Sequence, residues 1–191
     1  MSLRGNALSL MESWRSDDPT QESLRQAYLG FLLARQDACD RSCEPGHLTA
    51  SAIVFDATGT QILLTLHPRV GRWLQLGGHC EPSDAGLVEA ALREATEESG
   101  ITGLTIDPTP VHLDVHPITC SLGLPTRHFD VRFVVHAPEG AKPVRSDESD
   151  DLRWWPLSEL PPDTEDLLPM IAAATSPGSR EAKTGVRTGG A

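Results

Sequence analysis

The hydrophobic rhythm of the chain changes near residue 47, and that change divides it. Before it, Leu24, Ala27, Tyr28, Phe31 and Leu32 recur at i, i+3, i+4 spacing, the period of a helix with one apolar face. Thr20 is the expected N-cap of this helix, with Glu22 in the first turn, where a carboxylate meets the positive end of the helix dipole. Residues 1–45 are therefore expected to form a helical extension packed on the body of the protein. From Leu48 the pattern becomes strand-like. Residues 49–55 and 61–66 predict two strands joined by Asp56-Ala-Thr-Gly-Thr60, whose Asp and Gly suit an antiparallel hairpin. Residues 73–76 predict a short strand running into Gly77-Gly78, where missing side chains allow a sharp turn and a close approach to a ligand.

A helix is expected next, over roughly residues 86–99, with Ser83 or Asp84 as cap and Gly100 as its C-terminal stop. Residues 104–107, 111–115, 129–136 and 152–155 alternate or run apolar as further strands. Residues 163–174 predict a last helix that Pro169 must kink or delay. Strands interspersed with helices give an α/β fold layered around one mixed sheet over residues 46–175. Residues 176–191 hold Gly, Ser, Thr and Arg with little apolar content, and are expected to be a disordered tail.

Composition narrows the function. The 191 residues carry a formal net charge of -11, and the only lysines are Lys142 and Lys183. Such a chain repels nucleic-acid polymers and has no lysine with which to build a phosphate loop, although bound cations can bring an anionic substrate to it. No run of eighteen apolar residues occurs and the N-terminus lacks a secretory pattern, so a cytoplasmic protein without membrane contact is expected. Cys39, Cys43 and His47 are each four apart, which invites a zinc reading. They lack a fourth ligand, and Pro45-Gly46 breaks any helix that would align them, so the four cysteines are read as reduced thiols.

The chemistry concentrates in the 86–99 helix. Val88, Ala91, Leu92, Ala95 and Ser99 fall on one small or apolar side that should pack on the sheet. Glu94, Glu97 and Glu98 stand at i, i+3 and i+4 on a neighbouring arc, with no lysine in the helix to offset them. Crowded carboxylates suit a hard divalent cation, since Mg²⁺ prefers oxygen ligands and is often shared with substrate phosphates.

Around these glutamates the sequence resembles the Nudix hydrolase family. Gly78, then Arg93-Glu94-Ala95-Thr96-Glu97-Glu98-Ser99-Gly100-Ile101, follow that family's signature, with Asp84 in the place of its first glutamate. One extra residue lies between Asp84 and Arg93, which leaves a structural role for Asp84 in question. The Trp-x-Gln-Leu-Gly-Gly stretch and the closing Trp154-Trp155-Pro156-Leu157 also fit, so the resemblance covers about residues 47–172. It implies a Nudix-type α/β/α sandwich around a mixed β-sheet, preceded by the helical extension.

The resemblance further implies metal-dependent hydrolysis of a diphosphate bond in a small nucleoside diphosphate-linked molecule. Mg²⁺, with Mn²⁺ able to substitute, would be held by Glu94, Glu97, Glu98 and the Gly78 carbonyl. Arg93 would fix a glutamate and the loop. The general base would be Glu94 or an acid of the 146–151 loop, with Glu148 the candidate. His79, Arg127, Arg132 and Trp73 are candidate substrate contacts, the arginines through their permanent charge. His112 and His116 belong to the same wall, where a structural role is the default. Two other readings share the fold. A non-catalytic nucleotide-sensing module would not need its glutamates, and a prenyl diphosphate isomerase would want a cysteine in another context. A homodimer is compatible with the N-terminal helices.

Overall fold

Nine consecutive residues, His47–Phe55, form strand β1, and every one of them is buried. A strand covered on both faces needs small or apolar side chains throughout, and Leu48, Ala50, Ala52, Ile53, Val54 and Phe55 supply them. In the computed structural model, which describes residues 1–119, 123 and 125–176, this strand is the centre of an eight-stranded mixed sheet. Cys120 and the tail expected after Ser176 lie outside the described residues.

On one edge β1 runs parallel to β7 (Pro125–His136), in register from His47 opposite His128 to Phe55 opposite His136. Its other edge is shared. The N-terminal half pairs with β4 (Leu76–His79) and the C-terminal end with β2 (Gln61–His67), both antiparallel. Strand β2 also carries β3 (Arg72–Leu74) and β8 (Asp151–Pro156), and β7 carries β5 (Thr105–Ile106) and β6 (His112–Thr119). The turn after β1 is built as expected. The Asp56 carboxylate accepts the Thr60 and Gln61 backbone N–H groups, and Gly59 takes the left-handed φ of 68°.

Helices α1 (Leu3–Ser13), α2 (Pro19–Ala34) and α3 (Leu87–Ser99) cover one face. Ala7, Met11, Tyr28 and Leu32 pack with Leu87, Ala90 and Ala91, and with Leu48, Ala50, Leu113, Val131 and Phe133 of the sheet. The other face meets a 3₁₀ turn (Glu165–Leu167) and α4 (Leu168–Thr175), whose Leu167 and Met170 pack on Ile53, Phe55, Ile62, Leu64 and Val134. The fold is thus the α/β/α sandwich around a mixed sheet. No helix among the described residues is long and apolar enough to cross a membrane.

Four local expectations need correction. Asp18, not Thr20, caps α2, because its carboxylate accepts the Thr20 N–H at 2.8 Å and Pro19 fills the first helical position, where a missing N–H costs nothing. Helix ends at Ala34, and residues 35–46 form turns. The last helix starts at Leu168 rather than at 163: it is delayed, as one of the two expectations for Pro169 had it, and not kinked, with Pro169 in its first turn. Gly77 and Gly78 do not turn; they continue β4, held extended by pairing with Ser51 and Ala50.

The N-terminal helices are fastened by polar groups as well as packing. The Trp14 indole N–H donates to the Pro110 carbonyl at 2.7 Å, and the Gln21 side chain satisfies both the N–H and the carbonyl of Leu113. The fully buried Tyr28 hydroxyl lies 2.6 Å from the Asp114 carbonyl and 2.9 Å from that of Asp130. Removing that donor leaves buried carbonyls unmet, so Tyr28→Phe should lower the unfolding free energy by about 1–2 kcal/mol. Urea denaturation measures this, and an unchanged midpoint would mean that the Tyr28 hydroxyl adds nothing to the apolar packing of its ring.

Candidate active site

The site begins where β4 meets α3. Gly77 has φ 149°, and a Cβ there would lie 2.3 Å from the Ser51 Cβ, so only glycine lets β4 lie this close to β1. At Gly78 a Cβ would meet the Glu94 carboxylate at 2.8 Å. The absent side chain therefore makes room for the Glu94 carboxylate against strand backbone. From the helix side, the Gly77 N–H donates to Glu98 Oε2 at 3.0 Å.

The chain between them is held by Arg93. Its Nε and Nη2 each donate at 3.0 Å to the two oxygens of Asp84, a bidentate pair in which the Asp84 side chain is 4% exposed. Nη2 also reaches the His79 carbonyl at 2.9 Å, and Nη1 bridges Glu94 at 3.1 Å and Glu97 at 3.0 Å. Asp84 in turn accepts the Glu81 N–H at 2.7 Å. The extra residue before Arg93 therefore does not keep Asp84 from a structural role, because it is taken up in the loop. Neither Ser83 nor Asp84 caps α3. The N-cap is Gly86, and the Leu87 N–H reaches the Asn6 side-chain oxygen of α1 at 3.4 Å. Gly100, at φ 63°, ends the helix as expected.

A second segment closes the site. The Val144 N–H donates to the Ser99 carbonyl at 2.7 Å, the Asp150 N–H to the Leu66 carbonyl at 2.9 Å, and Thr65 and Ser149 share a hydroxyl hydrogen bond at 2.6 Å. So tied, the loop brings Ser146 and Glu148 to a cavity of about 190 Å³ lined also by Glu94, Glu97 and Glu98. Four carboxylates thus face one space. Burial pushes the Glu98 carboxyl up to about 8, with the charges of Glu94, Glu148 and Glu97 adding to it, and raises Glu94 as well. Asp84 behaves oppositely. Burial raises it, but the hydrogen bonds from Arg93 and the Glu81 N–H outweigh that, and its carboxyl lies below the usual range.

The donor set that lines the cavity is oxygen throughout: the carboxylates of Glu94, Glu97, Glu98 and Glu148 and the Ser146 hydroxyl. That fits a hard divalent cation, which would remove the cost of burying Glu98 among like charges. Among the described residues, no three of these glutamates bring carboxylate oxygens within 4.8 Å of one another.

The remaining candidates lie elsewhere. Opposite α3, on the far face of β1 and β7, Arg132 is buried, with Nε on Asp130 at 2.8 Å and Nη2 on Asp114 at 3.0 Å. Its Nη1 is buried without a partner, as is Oε1 of the neighbouring Gln75, whose amide nitrogen lies 3.3 Å from Ser51 and Asp130. Arg127 is exposed near the start of β7, opposite Pro117. Trp73 is half-buried, edge-on to Trp155 at 5.2 Å, with the Arg153 guanidinium 5.9 Å from its ring. His112 lies beside the Gln21 amide at 3.1 Å, and His116 Nδ1 lies 2.7 Å from Asp114. His79 faces His47 and His128, and burial pushes its imidazole down to about 3. Cys39, Cys43 and Cys80 are buried free thiols, Cys39 pushed up to about 11 by burial. Ser146, Asp114 and Asp130 were not singled out from the sequence, and no local spacing marks them.

The family model for the NUDIX domain matches residues 45–174. The chain belongs to the Nudix family. It is an enzyme of the Nudix pyrophosphohydrolase type. Among solved structures, a MutT protein from Methanosarcina mazei Go1 is 21% identical, with a TM-score of 0.52 over 74% of this chain and 98% of that one, a likeness of fold. An Ap4A hydrolase from C. elegans is 22% identical (TM-score 0.45; 58% of this chain, 80% of that one). The E. coli dihydroneopterin triphosphate pyrophosphohydrolase is 20% identical (TM-score 0.47; 57% and 80%). No curated protein matches the chain.

The Arg93–Asp84 pair is the part of this Nudix site most open to a stability test. Asp84→Ala strands a mostly buried guanidinium and the Glu81 N–H, and should cost about 3 kcal/mol. A loss below roughly 0.5 kcal/mol in chemical denaturation, the range of an exposed pair, would contradict this.

Proposed function

We propose that the enzyme hydrolyses the diphosphate bond of a nucleoside diphosphate linked to a further small group, with a divalent cation held by Glu94, Glu97, Glu98 and the Gly78 carbonyl. The observation that carries this is the convergence of Glu94, Glu97, Glu98 and Glu148 on one small cavity beside Gly78. Mg²⁺ is the expected ion, with Mn²⁺ as substitute. When bound, it would offset phosphate charge and acidify a coordinated water.

The protein's own groups do the rest. Arg93 carries no part of the substrate, since all its nitrogens are turned to Asp84, Glu94, Glu97 and the His79 carbonyl. It positions the two glutamates. Glu148 is exposed, faces the same cavity and has no ion pair among the described residues, so we assign it the proton of the attacking water; Glu94, held by Arg93, is the alternative base. On the far face of the sheet, the unpartnered Arg132 Nη1 and Gln75 Oε1 offer a donor and an acceptor to a polar substrate group. Arg127, His79 and Trp73 remain candidate contacts for the same substrate.

With Mg²⁺ and a panel of nucleoside diphosphate compounds, at least one should be cleaved, and chelation should abolish turnover. Glu97→Gln should lower kcat by orders of magnitude without unfolding the chain. Glu148→Gln should lower it by roughly 10²–10⁴ with little change in KM. Cleavage that survives Glu97→Gln would overturn the site assignment. If no compound is cleaved yet nucleotides raise Tm, the chain binds nucleotides without turning them over, and the sensing reading replaces this one.

A further inference from the structure

Beside the carboxylate cavity, but on the other side of β4, three histidines gather. His47 opens β1, His128 lies opposite it on β7, and His79 ends β4 two rungs further on, opposite Thr49. Their rings stand in a near-equilateral triangle, each pair of centroids 5.0 Å apart. One nitrogen from each lies within 4.8 Å of the other two. Small ring rotations would bring all three onto an ion at about 2.0–2.1 Å, the usual zinc–imidazole distance.

Two further observations point to a ligand. His47 is 1% exposed, and among the described residues its buried Nε2 has no hydrogen-bond partner; nor has the buried Nε2 of His128. Buried polar atoms are rarely left so, and two of them within one triangle are the lone pairs a metal would use. The other nitrogen of His47, Nδ1, faces the Cys43 carbonyl at 3.5 Å, the outer contact that fixes the ring of a metal-bound histidine.

We propose that His47, His79 and His128 form a binding site for a borderline divalent cation, Zn²⁺ foremost, distinct from the carboxylate site. Three imidazoles select Zn²⁺ and its neighbours in the transition series, whereas the all-oxygen cavity selects Mg²⁺. Side chains alternate along a strand, so Gly78 opens toward Glu94 and His79 points the other way. The two sites use opposite faces of the same four residues. Arg41 is a cationic neighbour that opposes metal binding, and the carboxylate of Asp130 favours it. Three protein ligands would leave a fourth position for water or a substrate group, and the ring of His116 lies 5.3 Å from that of His128.

The test uses the intact chain, stripped of metal by chelation. Histidine side-chain NMR is recorded on the unaltered protein before and after one equivalent of Zn²⁺, and then with Mg²⁺ alone. Zn²⁺ should shift three of the seven histidines, those assigned to His47, His79 and His128, and Mg²⁺ should shift none of them. The Zn²⁺ response should persist in Glu97→Gln and vanish in His128→Gln, whose amide spectrum reports that it is folded. Unmoved histidines in the unaltered chain would overturn the proposal, whether or not the variant folds. So would a Zn²⁺ response lost in Glu97→Gln and kept in His128→Gln.

Discussion

Four glutamates that face one small cavity repel one another, and the guanidinium of Arg93 steadies two of them, Glu94 and Glu97. It is anchored from behind by Asp84 through two parallel hydrogen bonds, and it faces Glu94 and Glu97 with the nitrogen left over. Because Asp84 also binds the Glu81 N–H, and Arg93 the His79 carbonyl, the same group fixes the course of the loop from β4 to α3. The balance is incomplete. Among the described residues Glu98 has no hydrogen bond from Arg93; it accepts the Gly77 N–H, and burial among the other carboxylates pushes its carboxyl up to about 8.

That loop and helix are in turn supported from outside the family-matched segment. The first turn of α3 has no cap of its own; the oxygen that meets its Leu87 N–H belongs to Asn6 in α1. The helices α1 and α2 also share a hydrophobic cluster with α3 and the sheet, and Tyr28 reaches the backbone of both β6 and β7. The strand carbonyls that Tyr28 approaches belong to Asp114 and Asp130, whose side chains grip Arg132 on the opposite face. One face of the sheet is thus set for packing by the same residues that set the other for polar chemistry.

How much of this the sequence disclosed depended on distance along the chain. The helix, its Gly100 stop and the glutamates were legible because their spacing is local and periodic. Glu148 could be suggested only as one acid in an acidic loop; its place opposite α3 comes from the Val144–Ser99 and Asp150–Leu66 hydrogen bonds, which no local pattern announces. The cap of α3 was misassigned for the same reason, since its partner is about eighty residues away. Gly77-Gly78 read as a turn because glycine permits one, whereas here the pair serves close approach of β1 and of Glu94. The grouping of the three histidines is invisible in sequence. The spacing that drew attention was Cys39, Cys43 and His47, and of those only His47 joins the cluster that folding creates.

The claim at the centre of this account is that the glutamates of α3 and the Gly78 carbonyl hold a divalent cation in the cavity that Arg93 keeps open. The direct measurement is anomalous diffraction from a crystal of the protein grown with Mn²⁺. The account predicts a strong peak between Glu94, Glu97, Glu98 and the Gly78 carbonyl, with Arg93 still paired to Asp84. Density only elsewhere, with the glutamates bound by nothing but Arg93, would contradict it.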